Sequence, residues 1–230
     1  SFTKQGDGTT ISGKRIIEQK QPGLYTVSYH PIGGCPAPSK FRELANLIQD
    51  MEDVELRLSP DEGMYIINLT GAEARKVLAA TEDGAQTLLE TSVACIGASI
   101  CQAGVRDSQQ MLADILAAAR AAGIKDGALP QLHISGCPSS CGTHQTGEIG
   151  FHGCAKRVNN APAPAFTLHV NGCDAQGEER FGRQLGVILA DQIPAFLVEL
   201  GTAVQNTGMT YSEWKEDHMP ELEAIAAKYI

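Results

Sequence analysis

Four cysteines in two closely spaced pairs are the residues best suited to chemistry. Cys95 and Cys101 form a C-x5-C pair, and Cys137 and Cys141 form a C-x3-C pair further along the chain. Each short loop can present two thiolates to one metal centre, and two such loops complete a four-thiolate shell. Soft sulfur donors select iron–sulfur clusters or zinc. The pattern therefore predicts a thiolate metal centre.

The spacing leaves three interpretations open. Structural zinc generally uses pairs separated by two to four residues, so the five-residue gap of the first pair favours a larger group. Gly97, Gly136 and Gly142 leave room for the backbone to approach a bulky cofactor. The third interpretation is that the cysteines are buried free thiols, which behave as small apolar side chains. Together the cysteines and glycines favour a [4Fe–4S] cluster over zinc and free thiols.

Composition restricts the class of protein further. The net charge of −9 disfavours nucleic acid or an anionic membrane as a partner, because both reward clustered Lys and Arg. Apolar stretches such as 185–190 are too short to cross a bilayer. Seven cysteines with clustered spacing indicate metal ligation in a reducing cytoplasm rather than a secreted disulfide framework. Because the first residue is Ser1 rather than Met, we expect the chain to start inside a longer polypeptide.

The elements before the cysteines predict a small α+β subdomain. Residues 1–22 are rich in Gly, Thr and Lys and are predicted to be an arm or linker. Apolar periodicity then predicts a strand, a helix capped by Ser39, a two-stranded hairpin, and a helix opened by the capping box of Thr70 and Glu73. The order β-α-β-β-α over residues 23–85 indicates a ferredoxin-like sandwich, with helices on one face of an antiparallel sheet.

The elements around and after the cysteines predict an α/β unit over residues 86–205. A helix over 108–122 precedes a short strand over 132–134 that runs into the second cysteine pair. A further strand is predicted at 166–170 and a helix at 193–204. Residues 206–230 are predicted to be a helical tail, with its helix over 220–229. The predicted fold class is α+β, a ferredoxin-like subdomain followed by an α/β subdomain that binds the metal centre.

The cysteine segments resemble those of a known family, the siroheme-dependent sulfite and nitrite reductases. The similar segments are Ala94-Cys95, Cys101-Gln102-Ala103-Gly104, Ile134-Ser135-Gly136-Cys137-Pro138-Ser139-Ser140-Cys141-Gly142 and Glu148-Ile149-Gly150-Phe151. The resemblance extends to 56–59 and 64–67, which are similar to the ferredoxin-like repeat of that family, and to 168–172. It covers about residues 20 to 215 and is closest in character to the C-terminal half of the family.

The resemblance implies that this chain is the C-terminal half of a sulfite or nitrite reductase. It implies that all four cysteines bind a [4Fe–4S] cluster and that Cys141 is also the axial ligand of a siroheme iron. The implied activity is six-electron reduction of sulfite to sulfide, or of nitrite to ammonia, with electrons from ferredoxin or a flavoprotein. An N-terminal reductase half, in cis or in trans, would complete the site. The alternative is an iron–sulfur electron-transfer or regulatory module without turnover.

Contacts to the siroheme are also implied by the resemblance. The candidates are Ser135, Ser139, Gly142 and His144 around the second cysteine pair, and Arg57 at the equivalent position of the ferredoxin-like repeat. Ser139 departs from the family, which usually has Asn there, so the siroheme contacts are expected to differ. The sequence identifies no catalytic residue, because most cations that bind the oxyanion lie on the other half in that family.

Overall fold

Two compact units make up the chain, and each is described by itself. The computed structural model describes residues 3–230, and the units divide between Gln86 and Thr87. Within the described residues, no helix has the length and apolar character needed to cross a bilayer.

An antiparallel sheet and two helices form the N-terminal unit. Its elements are β1 (Ile16–Glu18), β2 (Leu24–Tyr29), α1 (Pro38–Ile48), β3 (Glu55–Leu58), β4 (Met64–Thr70) and α2 (Gly71–Ala80). The strands lie in the order β1-β2-β4-β3, and every pairing is antiparallel. Leu44 of α1 and Val77 of α2 share one core with Val27 and Ile66 of the sheet. The predicted α+β class with a ferredoxin-like first unit is confirmed.

The first residues lie on the N-terminal unit instead of forming a separate arm. The Lys4 side chain is buried and donates hydrogen bonds to the Glu52 carbonyl at 2.6 Å and the Glu73 carboxylate at 2.7 Å. A Cβ on Gly71 would lie 2.0 Å from the Thr9 carbonyl oxygen, so the segment runs directly over the start of α2. β1 then pairs with β2. The segment expected to be an arm is ordered because its own unit supplies the partner surface.

The two helix starts of this unit differ in how well the sequence predicts them. The Thr70 and Glu73 capping box is confirmed, because each side chain hydrogen bonds to the other residue's backbone amide. The predicted cap at Ser39 is wrong, since α1 begins at Pro38 after Ala37 with no side-chain cap. Pro38 has no amide hydrogen to satisfy and its fixed φ suits a first turn, so Ser39 falls inside the helix.

The second unit contains a five-stranded mixed sheet. Its elements are β5 (Val93–Ala94), α3 (Ser108–Ala121), β6 (Leu132–Ser135), β7 (Ile149–Val158), β8 (Ala161–Val170), β9 (Arg183–Leu189), α4 (Ile193–Thr207) and α5 (Tyr211–Ala226). The strand order is β5-β6-β7-β8-β9. β5, β6 and β7 run parallel, whereas β8 is antiparallel to both β7 and β9. Sequence reasoning did not predict β7 and β9.

The two faces of this sheet have opposite character, because successive side chains of a strand point to opposite sides. Ile134, Phe151 and Leu168 point to one face, where they share a core with α3, α4 and α5. The alternating positions on β6, β7 and β8 carry polar side chains. These are His133, Ser135, His152, Thr167 and His169. The connection between β6 and β7 and its cysteine pair adjoin this polar face.

The C-terminal residues are a packed helix of the second unit rather than a tail. α5 begins at Tyr211, well before the expected start at Pro220, and the Trp214 side chain is fully buried in the core. A second capping box, Thr210 with Glu213, starts the helix. Pro220 lies inside it, just after the non-helical His218.

Substitution Thr210→Ala is expected to lower the free energy of unfolding of the second unit by about 1 kcal/mol, because it removes the N-cap acceptor. Trp214, the one tryptophan of the sequence, lies in the first turns of α5 and reports the loss by fluorescence in urea unfolding. Thr210→Ser retains the hydroxyl and should restore most of the stability. Equal stability of Thr210→Ala and the unchanged protein would contradict a capping role.

Candidate functional site

The four paired cysteines line one cavity of about 130 Å³ in the second unit. Cys95 directly follows β5, and one residue, Gly136, separates Cys137 from the end of β6. These two strands are parallel neighbours, so their carboxyl ends lie at the same edge of the sheet, where α/β folds commonly bind ligands. The other lining residues are Ile96, Gly97, Gly104, Ser135 and Gly136.

Backbone hydrogen bonds hold the two cysteine loops together. The amide of Gly136 donates to Cys95 Sγ at 3.1 Å, and the Cys95 amide donates to the Ile134 carbonyl at 3.1 Å. In return, the amides of Val105 and Arg106 donate to the Gly136 carbonyl at 2.9 and 2.8 Å. A Cβ on Gly136 would lie 2.6 Å from the Arg106 carbonyl oxygen, so only glycine permits this approach.

The second loop exposes one thiol and buries the other. Cys137 is buried, whereas Cys141 is exposed. The hydroxyl and the backbone amide of Ser139 donate hydrogen bonds that lower the pKa of the Cys137 thiol and so favour its thiolate. Ser140 has a φ of 60° in the left-handed region, which turns the chain sharply between the two cysteines. The loop therefore presents Cys141 outward while Cys137 stays beneath it.

The cavity fits a group larger than a single metal ion. A zinc ion binds thiolates at about 2.3 Å in a closed tetrahedral shell, which leaves no empty volume between the sulfurs. A water molecule needs only about 10–15 Å³ on a comparable measure. A space of about 130 Å³ among four cysteines therefore favours a cluster over zinc. The glycines and Ile96 make the wall largely apolar, and Cys101, Cys141 and Ile96 leave one side of the cavity exposed.

The five siroheme candidates occupy different settings. Ser135 lines the cavity, and Ser139 bonds to Cys137. Gly142 packs on β6, where its amide donates to Ser135 Oγ at 3.1 Å. The His144 side chain is 1% exposed and is not among the described residues that line the cavity. Arg57 lies on β3 of the N-terminal unit, where its exposed side chain pairs with Glu55 at 2.9 Å.

The polar face of the sheet also contains three histidines in mutual contact. The ring centroids of His144, His152 and His169 lie 4.7, 4.8 and 5.0 Å apart. Sequence reasoning missed this group, which we call the histidine cluster. The signal available in the sequence was the alternation of apolar and polar residues, since His152 and His169 each follow an apolar residue within a strand. Only the register of β7 with β8 shows that they are neighbours.

Burial keeps the histidine cluster neutral near pH 7. Desolvation lowers the pKa of His144 to about 3 and that of His169 to about 4, and the neighbouring imidazoles add to both shifts. Desolvation also lowers the pKa of His152. Neutral imidazoles have lone pairs available for hydrogen bonding or metal binding.

Arg106 adjoins the cysteine loops and was not singled out from the sequence. It lies between the first cysteine pair and α3, and its stem approaches Gly153 of β7. Its Nε is buried and, among the described residues, has no hydrogen-bond partner. The residue as a whole is only half-buried, and its Nη1 donates to the Val105 carbonyl at 2.7 Å, so Nε is the buried donor left without a protein acceptor among the described residues.

Several known proteins are similar to this chain in sequence. Residues 17–83 match the family model described as the nitrite/sulfite reductase ferredoxin-like half domain. The chain is 32% identical over 210 residues to the chloroplastic ferredoxin–nitrite reductase of Oryza sativa subsp. japonica, covering 88% of this chain and 34% of that protein. It is 23% identical to sulfite reductase [ferredoxin] 1 of Mycolicibacterium paratuberculosis, over 87% of this chain and 37% of that protein.

A solved structure shows the same fold. The NirA protein of Mycobacterium tuberculosis superposes with a TM-score of 0.68 at 19% identity, covering 85% of this chain and 38% of that one. The chain is therefore an α+β protein, with a ferredoxin-like unit followed by an α/β unit that contains the four-cysteine cavity. Residues 17–83 carry the ferredoxin-like half domain of nitrite and sulfite reductases, and the chain is similar in sequence to members of that family. It spans about a third of the length of these curated relatives.

Proposed function

We propose that this chain is the C-terminal half of a siroheme-dependent reductase that reduces sulfite or nitrite by six electrons. The observation that carries the proposal is the cavity lined by Cys95, Cys101, Cys137 and Cys141. When bound, the family's [4Fe–4S] cluster and siroheme supply the electron transfer and the redox chemistry. The residues of this chain hold these groups, orient them and exclude water.

The cysteines divide into two roles under this proposal. All four would hold the cluster, and Cys141 would additionally bind the siroheme iron. The exposure of Cys141 supports the second role, because its sulfur must reach a group outside the unit. Buried Cys137, with hydrogen bonds from Ser139 that favour the thiolate, is suited to the cluster alone.

The surface beside the first cysteine pair supports a covering partner. Ile100 is 76% exposed, and Ile96 and Val105 are also exposed. Exposed apolar side chains around a functional site commonly mark an interaction surface. In the proposed reductase, the bound siroheme and the N-terminal half would cover these side chains and keep water from the cluster. This chain spans about a third of the length of its curated relatives. The N-terminal half is therefore proposed to come from the same or from another polypeptide.

Among the siroheme candidates, Ser135 and Gly142 are proposed to shape the wall, and Ser139 to act on Cys137. His144 is proposed to act through its contact with Ser135, 2.9 Å from its Nδ1, since its side chain is buried. Arg57 is proposed as a contact from the N-terminal unit. Its ion pair with Glu55 is exposed and contributes little stability, which leaves the guanidinium available.

The names of the relatives support ferredoxin as the electron donor. The rice protein is named a ferredoxin–nitrite reductase, and the mycobacterial protein a sulfite reductase [ferredoxin]. The two names differ in substrate, so nitrite and sulfite need to be tested side by side.

The test uses the complete protein that contains this chain. We expect about four irons with matching sulfide for the cluster, a chlorin-like absorption band from siroheme, and turnover of nitrite or sulfite with reduced ferredoxin. Iron and sulfide without siroheme after full reconstitution would overturn the proposal. A reversible one-electron centre without turnover would instead favour the electron-transfer module.

Ser139→Ala is expected to lower the reduction potential of the cluster. Hydrogen bonds to a cluster thiolate stabilise the more negative, reduced state, and their loss should shift the potential by roughly tens of millivolts. Redox titration followed by electron paramagnetic resonance measures the shift. Ser99→Ala is the control, because its hydroxyl donates to the Ile96 carbonyl rather than to a sulfur. Equal potentials in both variants would show that Ser139 does not tune the cluster.

A further inference from the structure

The histidine cluster has the composition of a metal site separate from the four cysteines. One ring nitrogen from each of His144, His152 and His169 lies within 4.8 Å of the others. His152 Nδ1 and His169 Nε2 are only 2.8 Å apart. Imidazole nitrogens favour zinc and other first-row transition metals over magnesium or calcium. We propose that His144, His152 and His169 bind a Zn²⁺ ion.

The register of the sheet brings these side chains together. His152 lies opposite Thr167, and His169 lies opposite Gly150, so the two histidines are diagonal neighbours on β7 and β8. Gly150 has no side chain to fill the space beside them. A Cβ there would lie 1.8 Å from the His144 carbonyl oxygen, so the His144 backbone rests on the strand at this point. Gly150 thereby admits the third imidazole.

The distances require only a small rearrangement on binding. Zinc binds imidazole nitrogen at about 2.0–2.1 Å, which places tetrahedral nitrogens about 3.3 Å apart. His152 Nδ1 and His169 Nε2, which share a hydrogen bond at 2.8 Å, must release that proton and separate by about 0.5 Å, and the widest pair must shorten by about 1.5 Å.

Ser135 orients the loop histidine. Its Oγ lies 2.9 Å from His144 Nδ1 and accepts the Gly142 amide at 3.1 Å. A histidine that binds a metal usually donates its other ring N–H to an oxygen, which fixes the ring and the tautomer. Donation from Nδ1 to Ser135 leaves Nε2 as the ligand. The neutral state that burial imposes on these rings is the form that binds metal.

His133 shares the polar face but is assigned a different role. Its Nδ1 lies 2.7 Å from Thr143 Oγ1, and its Nε2 lies 3.8 Å from the Asp174 carboxylate. These contacts direct its ring nitrogens to the β6–β7 and β8–β9 connections rather than to the three clustered imidazoles. His133 is therefore a matched control, since it is a buried histidine on the same face.

The test must separate this site from the cysteines, which also bind zinc. We would titrate Co²⁺ and then Zn²⁺ into the full chain with Cys95, Cys101, Cys137 and Cys141 all replaced by Ser. The expected result is one equivalent of Co²⁺ with visible d–d absorption and no sulfur-to-cobalt charge-transfer band. His152→Gln and His169→Gln should each weaken binding at least about 100-fold, and Ser135→Ala about 10- to 100-fold. His133→Gln should leave the affinity unchanged.

Two results would overturn the proposal. One is the absence of a stoichiometric Co²⁺ site without sulfur ligands, and the other is a loss of affinity in His133→Gln equal to that in His169→Gln. If the four-serine variant fails to fold, the same titration is made on the chain with its cysteines. There, His169→Gln must remove the component that lacks the charge-transfer band and keep the thiolate component, and retention of both would overturn the proposal. The outcome does not depend on siroheme, turnover or the proposed function.

Discussion

Replacement of Cys137 by Ala is expected to reduce the iron content of the reconstituted complete protein from about four per cluster to less than one. Cys137 is the buried member of the four-cysteine cavity, and the thiolate favoured by Ser139 is the ligand form. A cubane in which one iron lacks its thiolate ligand is prone to oxidative loss. Iron and sulfide analysis measures the loss, and the charge-transfer absorption of the cluster should disappear in parallel.

The controls separate ligation from folding. Cys173→Ala, in the same unit, and Cys35→Ala, in the other unit, should keep the full iron content, because neither residue lines the cavity. The metal-free Cys137→Ala chain should unfold within about 1 kcal/mol of the unchanged chain, since only one sulfur atom is removed. A full iron complement in Cys137→Ala, or an equal loss in Cys173→Ala, would rule out the four-cysteine assignment.

Cys141 should behave differently from Cys137 if it has two roles. We expect Cys141→Ala to lose siroheme and turnover along with the cluster. Under the alternative of an electron-transfer module, loss of Cys141 affects the iron–sulfur centre only. The siroheme absorption of the complete protein therefore distinguishes the two interpretations, independently of how much iron each variant retains.

Local signals in the sequence account for much of the fold. The capping box at Thr70 predicted the start of α2, and the alternation before it predicted β2 and the β3–β4 hairpin, because each depends on neighbours a few residues apart. The same kind of signal is present at Thr210 with Glu213, whereas Pro220 predicts a later start for this helix. Proline is typical of a first turn, yet here it lies inside α5.

Features that depend on distant pairing could not be predicted. The cysteine spacing predicted a shared centre, since each pair is local and only the meeting of two loops had to be inferred. The histidine cluster joins a loop residue with residues from two strands, and it exists only because β7 and β8 pair in one register. A shift of one residue would turn His152 and His169 to the opposite faces. The position of Arg106 likewise depends on how the first loop folds against Gly136.

Substitution Gly142→Ala is expected to cost the second unit about 2–4 kcal/mol of unfolding free energy and to prevent cluster assembly. A Cβ at this position would lie 2.2 Å from the Ile134 carbonyl oxygen, within fully buried backbone that cannot give way cheaply. The same oxygen accepts the Cys95 amide at 3.1 Å. The methyl group must therefore either lift the second loop off β6 or displace the backbone that holds the first.

The control for this substitution is Gly177→Ala in the same unit. Gly177 has a φ of 87° with open space around its Cβ position, so its cost is the conformational strain of about 1–2 kcal/mol. Gly142 lies outside the left-handed region, and its cost is steric. Urea unfolding followed by Trp214 fluorescence measures stability, and iron content measures cluster assembly. Because the Ile134 carbonyl links Gly142 to Cys95, only Gly142→Ala should lose iron, whereas equal iron content in both variants would mean that the two cysteine loops are positioned independently.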